Sequence, residues 1–258
     1  MVKLAVADGG RIVAQRCDER FGSSSVDELL AACPAVDKAV VCSTRGDAEE
    51  VAAAVRRKVG WCLEFTPRTP VPLRNAYRTP EMLGRDRLAA AVGAAERFPG
   101  RNVLVVDFGT ALTIDLVTAD GTFRGGFISP GVRSRFRSLH DYTAKLPLCA
   151  PTEEMLPLGV TTETAVMQGV MQGVAYEIGG HMERMGAEYG DLCTIFTGGD
   201  AKYFAKRIKN TIFADCNLVF RGLNSRLREA VIIRLSLIWV KSLNLTRHRG
   251  SSPRRMFK

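Results

Sequence analysis

Seven cysteines stand at positions 17, 33, 42, 62, 149, 193 and 216, and no two of them form a Cys-x-x-Cys pair. Their odd number, wide spacing and mostly apolar neighbours argue against a disulfide framework or a zinc site, and for reduced thiols in a cytoplasmic protein. Histidine is scarce too. His140, His181 and His248 lie away from any cysteine cluster, which leaves no basis for a soft-metal site. Long apolar runs are missing: the best candidate, Ala230 to Val240, is too short for a bilayer and is broken by Arg234. Nothing at the N-terminus reads as a signal peptide, so no membrane association is expected. Acid is scarce at one end only. Residues 225–258 carry nine Lys or Arg against Glu229 alone, a local +8, so the first 224 residues hold just +1 of the total +9. The charge that would suggest nucleic acid is therefore confined to a basic tail, read here as solvated and disordered.

What remains is a chain of 258 residues, 46% hydrophobic, able to bury one large or two moderate cores. Its most informative stretch is 102–118, Asn-Val-Leu-Val-Val-Asp-Phe-Gly-Thr-Ala-Leu-Thr-Ile-Asp-Leu-Val-Thr. The apolar run Val103 to Val106 predicts a buried strand that delivers Asp107 at its end. Gly109 permits a tight turn, and Thr110 with neighbouring N–H groups would face outward as donors to anionic oxygen. Beyond the turn, Leu112, Ile114 and Leu116 alternate with Thr113, Asp115 and Val117, the pattern of a half-buried strand. An ordinary hairpin whose Asp107 satisfies backbone N–H groups would read the same way.

Around this hairpin, strands and helices alternate, which argues for α/β architecture. Strands are expected at 3–7 and 11–15, joined through Asp8-Gly9-Gly10, and again at 38–42. Capping boxes at Ser25/Glu28 and Asp47/Glu50 would open two helices, and a third should cover 86–97. Asp120-Gly121 leads into a strand at 122–129. Pro130-Gly131 then starts a helix with Val132, Phe136 and Leu139 on one face. A long helix from Thr162 to about Tyr189 precedes a strand at 192–196 and the turn Thr197-Gly198-Gly199-Asp200. A weak internal repeat pairs Leu116-Val-Thr-Ala-Asp-Gly-Thr-Phe with Leu4-Ala-Val-Ala-Asp-Gly-Gly-Arg.

Several motifs in order now point one way. They are Pro72-Leu-Arg-Asn-Ala-Tyr77, Gly84-Arg-Asp-Arg87, Asp107-Phe-Gly-Thr-Ala-Leu-Thr-Ile-Asp115, Gly125-Gly-Phe-Ile-Ser-Pro-Gly131, Thr143-Ala-Lys-Leu-Pro147, Gly159-Val-Thr-Thr162 with Gly169, and Thr197-Gly-Gly-Asp-Ala201. From about Lys3 to Asn224 the chain resembles the type III pantothenate kinases of the actin-like ATPase superfamily. The resemblance implies two actin-like (ribonuclease H-like) α/β domains flanking a nucleotide cleft. They would be an incomplete N-terminal domain at 1–100 and a C-terminal domain at 101–224, with 225–258 as the basic tail.

It also implies ATP-dependent phosphorylation of pantothenate to 4'-phosphopantothenate, the first step of coenzyme A biosynthesis, in a cytoplasmic homodimer. Asp86 would be the general base, and Asp107 would hold a monovalent cation, potassium or ammonium, with magnesium accompanying ATP. Tyr77, Gly84, Arg85, Asp86, Arg87 and Thr162 correspond to pantothenate contacts, and Lys3, Gly109, Thr110, Gly198 and Gly199 to ATP contacts. Structural readings stay open beside these. Asp86 could simply stabilise the first turn of its helix, Arg87 could be a surface residue, Tyr77 could be packing, and Thr162 could be an N-cap.

The chain also departs from the pattern. Family members open with a strand ending in Asp-x-Gly-Asn-Thr, and Lys3 resembles the Lys that follows it. The strand and its phosphate loop are therefore expected to be lacking, and kinase activity to be weak or nil. The alternatives are a catalytically dead binding or regulatory relative, and a kinase for another small hydroxylated substrate. The basic segment from 225 resembles nothing assigned, and its removal is expected to leave solubility unharmed.

Overall fold

Two mixed sheets enclose a helical layer and carry further helices on their outer faces, in a computed structural model that describes residues 2–8, 11–19, 21–33, 36–43, 48–209, 213–215, 217–230 and 235–241. The second sheet joins, in spatial order, β10 (Phe213–Ala214), β9 (Leu192–Gly198), β6 (Asn102–Phe108), β7 (Ala111–Thr118), β8 (Thr122–Pro130) and β5 (Arg74–Asn75). Leu104, Val106, Ile114, Leu116 and Phe196 on its outer face pack against α4 (Val132–Asp141), α5 (Thr162–Tyr189) and α6 (Ala201–Ala205). Val103, Val105, Cys193 and Ile195 on its inner face meet α3 (Arg85–Arg97) and α7 (Leu218–Ala230). A strand covered on both faces must read as an apolar run, as 103–106 does.

The first sheet runs β2 (Arg11–Asp18), β1 (Val2–Asp8), β11 (Leu235–Lys241), β3 (Lys38–Ser43) and β4 (Trp61–Glu64). Its outer face, with Leu4, Val6, Ala39 and Val41, packs on α1 (Ser23–Ala32) and α2 (Ala48–Val59). Its inner face, with Ala5, Ala7, Val40 and Cys42, closes on Leu88 and Ala91 of α3 and on Phe220 and Leu223 of α7. The α3–α7 pair is thus shared by both sheets. The two helices touch backbone to backbone: a Cβ added at Gly222 would lie 1.8 Å from the Ala89 carbonyl oxygen, and one at Gly93 would lie 2.4 Å from that of Leu218.

The helices at 85–97, 132–141 and 162–189 and the strands at 102–108, 111–118 and 122–130 agree with the sequence pattern to within a residue or two. Three expectations change. β7 is not half-buried, because the first half of the molecule covers the face an isolated hairpin would leave to water: Val117 packs with Leu88 and Phe123. α1 starts at Ser23 behind Gly22, without a side-chain cap. Its expected capping pair is engaged elsewhere, Glu28 in an ion pair with Arg16 of β2 and Ser25 with Asp18. The expected boundary at 224/225 falls inside α7, and 235–241, read above as a failed membrane span and as part of a disordered tail, is a strand, with the length and apolar content of one. Residues 231–234 and 242–258 of the expected tail lie outside the described residues, as do Gly9, Gly10, Asp47, Cys216 and His248.

Gly222→Ala should force α3 and α7 apart and cost about 1–3 kcal/mol by overpacking. In urea denaturation its midpoint should drop, whereas Gly169→Ala in α5, where an added Cβ meets nothing within 4 Å, should hold or raise the midpoint.

Candidate active site

Asp107 emerges at the end of β6, where the strand hands over to the turn Gly109-Thr110. Its surroundings are tight. A Cβ at Gly198, which sits at φ +89°, would fall 2.4 Å from Asp107 Oδ1, so only glycine lets β9 pass over this carboxylate. Gly131 plays the same part on the far side, where a Cβ would lie 2.2 Å from the Gly109 carbonyl oxygen. Burial first, then the charges of Asp86 and Asp115, push the Asp107 carboxyl from the usual 3.8 up to about 6, against the pull of Lys3 on β1. That these groups act on one another means that the end of β6, the first turn of α3 and the start of β1 lie near one another.

Asp86 lies in the first turn of α3, which follows Gly84 as N-cap. Its Oδ1 accepts the Arg87 N–H at 2.9 Å. A Cβ on Gly84 would come within 2.8 Å of that same oxygen, so the glycine leaves the carboxylate room. Arg87 is neither on the surface nor facing open cleft. It is 6% exposed and holds Asp115 of β7, 2% exposed, through Nε at 3.1 and 3.0 Å and through Nη2 at 2.5 Å. Burial works against the Arg87 charge, but the hydrogen bonds it donates to Asp115, with that carboxylate's charge, outweigh it and raise the guanidinium further. The guanidinium carbon stands 5.5 Å from the centre of the Tyr77 ring and 6.0 Å from that of Phe123. Tyr77 is half-buried on this platform, and an added Cβ at Gly125 would stand 3.4 Å from its ring.

Other expected contacts fall differently. Gly109 and Gly199 are not outward backbone donors: the Gly109 N–H closes its own turn on the Ala111 carbonyl at 3.1 Å, and the Gly199 N–H goes to the Phe108 carbonyl at 3.0 Å. What these exposed glycines offer is close approach to the backbone. The Thr110 carbonyl accepts from Gly131 N and Ser134 Oγ, anchoring the turn to α4. Arg85 pairs with Glu64 of β4 at 2.9 Å. Thr162 is the exposed first residue of α5, and the cap belongs instead to Thr161, which exchanges hydrogen bonds with Thr164. Among the described residues, no contact ties Thr162 to the carboxylates. Sequence reading placed Asp115 beside the turn but gave it no partner, since a pair 28 residues apart shows only in the fold.

Among the described residues no group of three or more His, Cys, Asp or Glu forms a metal cage, and no helix is long and apolar enough to cross a membrane. A cation at Asp107 would therefore need oxygen from a bound phosphate, the backbone or water as well. The desolvated carboxylate, with two further acids close by, suits such an ion.

The type III pantothenate kinase family model matches residues 2–184. A type III pantothenate kinase of Bacteroides fragilis is 41% identical over 226 residues, covering 87% of this chain and 92% of that protein. One from Christiangramia forsetii is 34% identical over 224 residues, covering 86% and 92%. Among solved structures, a Sinorhizobium meliloti protein described as a 2-dehydro-3-deoxygalactonokinase superposes with a TM-score of 0.53 at 13% identity, over 90% of this chain and 96% of its own. A Campylobacter jejuni protein described as a conserved Baf family transcriptional activator gives 0.54 at 23% identity, over 80% and 88%. These two bear on the fold alone, and they agree with two actin-like domains about a cleft. With most of its length matched by the family model and by these relatives, the chain belongs to the type III pantothenate kinase family.

Proposed function

We propose that this protein transfers the terminal phosphoryl group of ATP to the primary hydroxyl of pantothenate, the step that opens coenzyme A synthesis. One observation carries the reading: Asp86, in the first turn of α3, and Asp107, near the end of β6, stand within electrostatic reach of each other, each with a glycine where a Cβ would crowd its carboxylate. Phosphoryl transfer asks chiefly for alignment and charge neutralisation, with one group to receive the alcohol's proton. Asp86 receives that proton, while Arg87, committed to Asp115, positions Asp86 and the Tyr77 ring rather than meeting substrate with a free fork. Pantothenate lies by Tyr77, Gly84 and Arg85, with Thr162 at its far end.

ATP phosphates lie over the Gly109-Thr110 turn and the Gly198-Gly199 passage, with Lys3 as a further cation and magnesium carried in by the nucleotide. Potassium or ammonium at Asp107 offsets the repulsion among the three acids. The enzyme works in the cytoplasm as a homodimer. A face on which Ile128 of β8 and Tyr176 of α5 are exposed, linked through the Ser129–Glu177 hydrogen bond of 2.6 Å, supports that pairing.

Formation of 4'-phosphopantothenate, followed by mass spectrometry with ATP, magnesium and potassium, tests the reading. Asp86→Asn should lower kcat by about 10²–10⁴ with little change in the KM for ATP; a variant as fast as the parent would remove Asp86 from the chemistry. The Asp107 carboxyl holds its proton to about 6 when folded and releases it near 3.8 when unfolded, so the fold loses stability as pH climbs between those values. Asp107→Asn escapes that loss, and the Tm advantage of the variant over the parent should grow from about pH 4 to about pH 7. Potassium should raise the parent's Tm more at the higher pH and leave Asp107→Asn unmoved. Sedimentation should show two copies per particle, separated by Tyr176→Glu.

A further inference from the structure

The first turn of α4 runs against the usual placement of charge. Behind Gly131 as N-cap it reads Val132-Arg133-Ser134-Arg135, two cations at the end of a helix where the macrodipole favours acids. Arg135 is committed. Its Nε donates to the Pro130 carbonyl at 2.7 Å, and its Nη2 pairs with Glu177 of α5. Arg133 is different: its side chain is 76% exposed, and Nη1 stands 3.7 Å from Oδ1 of Asp200. That separation is an ion pair beyond hydrogen-bonding distance.

The two partners stand on opposite flanks of the turn that follows β6. On one flank, residues either side of Arg133 grip the Thr110 carbonyl, Gly131 through its N–H at 2.9 Å and Ser134 through Oγ at 2.7 Å. On the other flank, Asp200 follows Gly199, whose N–H holds the Phe108 carbonyl at 3.0 Å, and Gly198, where a Cβ would crowd Asp107. The Arg133–Asp200 pair therefore joins the two sides of Phe108-Gly109-Thr110.

Stability gives little reason for such a pair. A loose ion pair on an exposed side chain is screened by water and salt, and the helix end works against its cation. Recognition gives a better one. A guanidinium carries planar, paired donors that match the oxygens of a phosphate, and binding to a dianion or trianion outweighs a distant carboxylate.

We propose that Arg133 is a phosphate-binding residue of the nucleotide site, kept at the rim by Asp200 and exchanging that carboxylate for phosphate oxygens that settle over the Gly109-Thr110 turn. This role rests on the phosphoryl-transfer reading, in which Asp86 and Asp107 repel the incoming anion and a cation on the opposite rim offsets them.

Calorimetry on the full chain tests the assignment. Arg133→Ala should weaken ATP binding by about tenfold or more, with Arg133→Lys between it and the parent. The parent's ATP affinity should also fall more steeply with added salt than that of Arg133→Ala. Loss of a cation from a helix N-terminus should hold or raise the Tm of Arg133→Ala. Unchanged ATP affinity would overturn the proposal, and so would weaker binding accompanied by a lower Tm, the mark of a prop for the turn. Asp200→Asn releases the guanidinium and should bind ATP at least as tightly as the parent. A loss there equal to that of Arg133→Ala would assign the effect to the pair and count against the exchange. The two readings fail separately: ATP binding that depends on Arg133 without any 4'-phosphopantothenate formed removes the kinase reading alone. Product formed by Arg133→Ala at the parent's KM for ATP removes the role of Arg133 alone. A parent that binds no ATP overturns both.

Discussion

The ion pair between Arg87 and Asp115 holds the working parts in relation to one another. Arg87 follows Asp86 on α3, and Asp115 lies on the strand that leaves the Asp107 turn, so one buried contact fixes the distance between the two candidate working carboxylates. Breaking a buried pair by removing one partner costs about 3–5 kcal/mol, because the remaining charge stays desolvated. Tyr77 and Phe123 complete the setting by placing aromatic faces near the guanidinium. Gly126 belongs to the same assembly, since a Cβ there would lie 2.6 Å from Asp115 Oδ1 and 1.9 Å from the Ile114 carbonyl oxygen.

Asp107 illustrates the opposite use of burial. Among the described residues it has no guanidinium partner, and glycines on two neighbouring segments bring backbone close about it. A carboxylate held this way is costly to ionise, and that makes it receptive to a cation. Arg87–Asp115 is a closed ion pair; Asp107 is instead raised by burial and by two neighbouring acids against the pull of Lys3, a perturbation of the kind functional sites carry.

Much of this was legible in the sequence. The apolar run before Asp107, the Asp-x-Gly-Thr turn and the long helix from Thr162 follow from local periodicity and turn chemistry, which need no knowledge of distant residues. Tertiary pairing was not legible. Arg87 was expected to contact pantothenate or else to lie on the helix surface, because its partner is 28 positions away, and Glu28 looked like a capping residue until Arg16 claimed it. The Gly109 N–H, beside Thr110, looked like a donor until its own turn used it. The segment 235–241 was missed because it was judged against membrane length and otherwise counted with the basic tail, although a strand needs fewer residues than a bilayer span.

The long return of β11 to β1 has a consequence for biosynthesis. Sheet two draws on residues 74–214 and is complete while the ribosome still holds the end of the chain; sheet one cannot zip until residue 241 emerges. Through that interval the N-terminal half presents two open apolar edges to water, a window in which chaperones and misassembly compete for the nascent polypeptide.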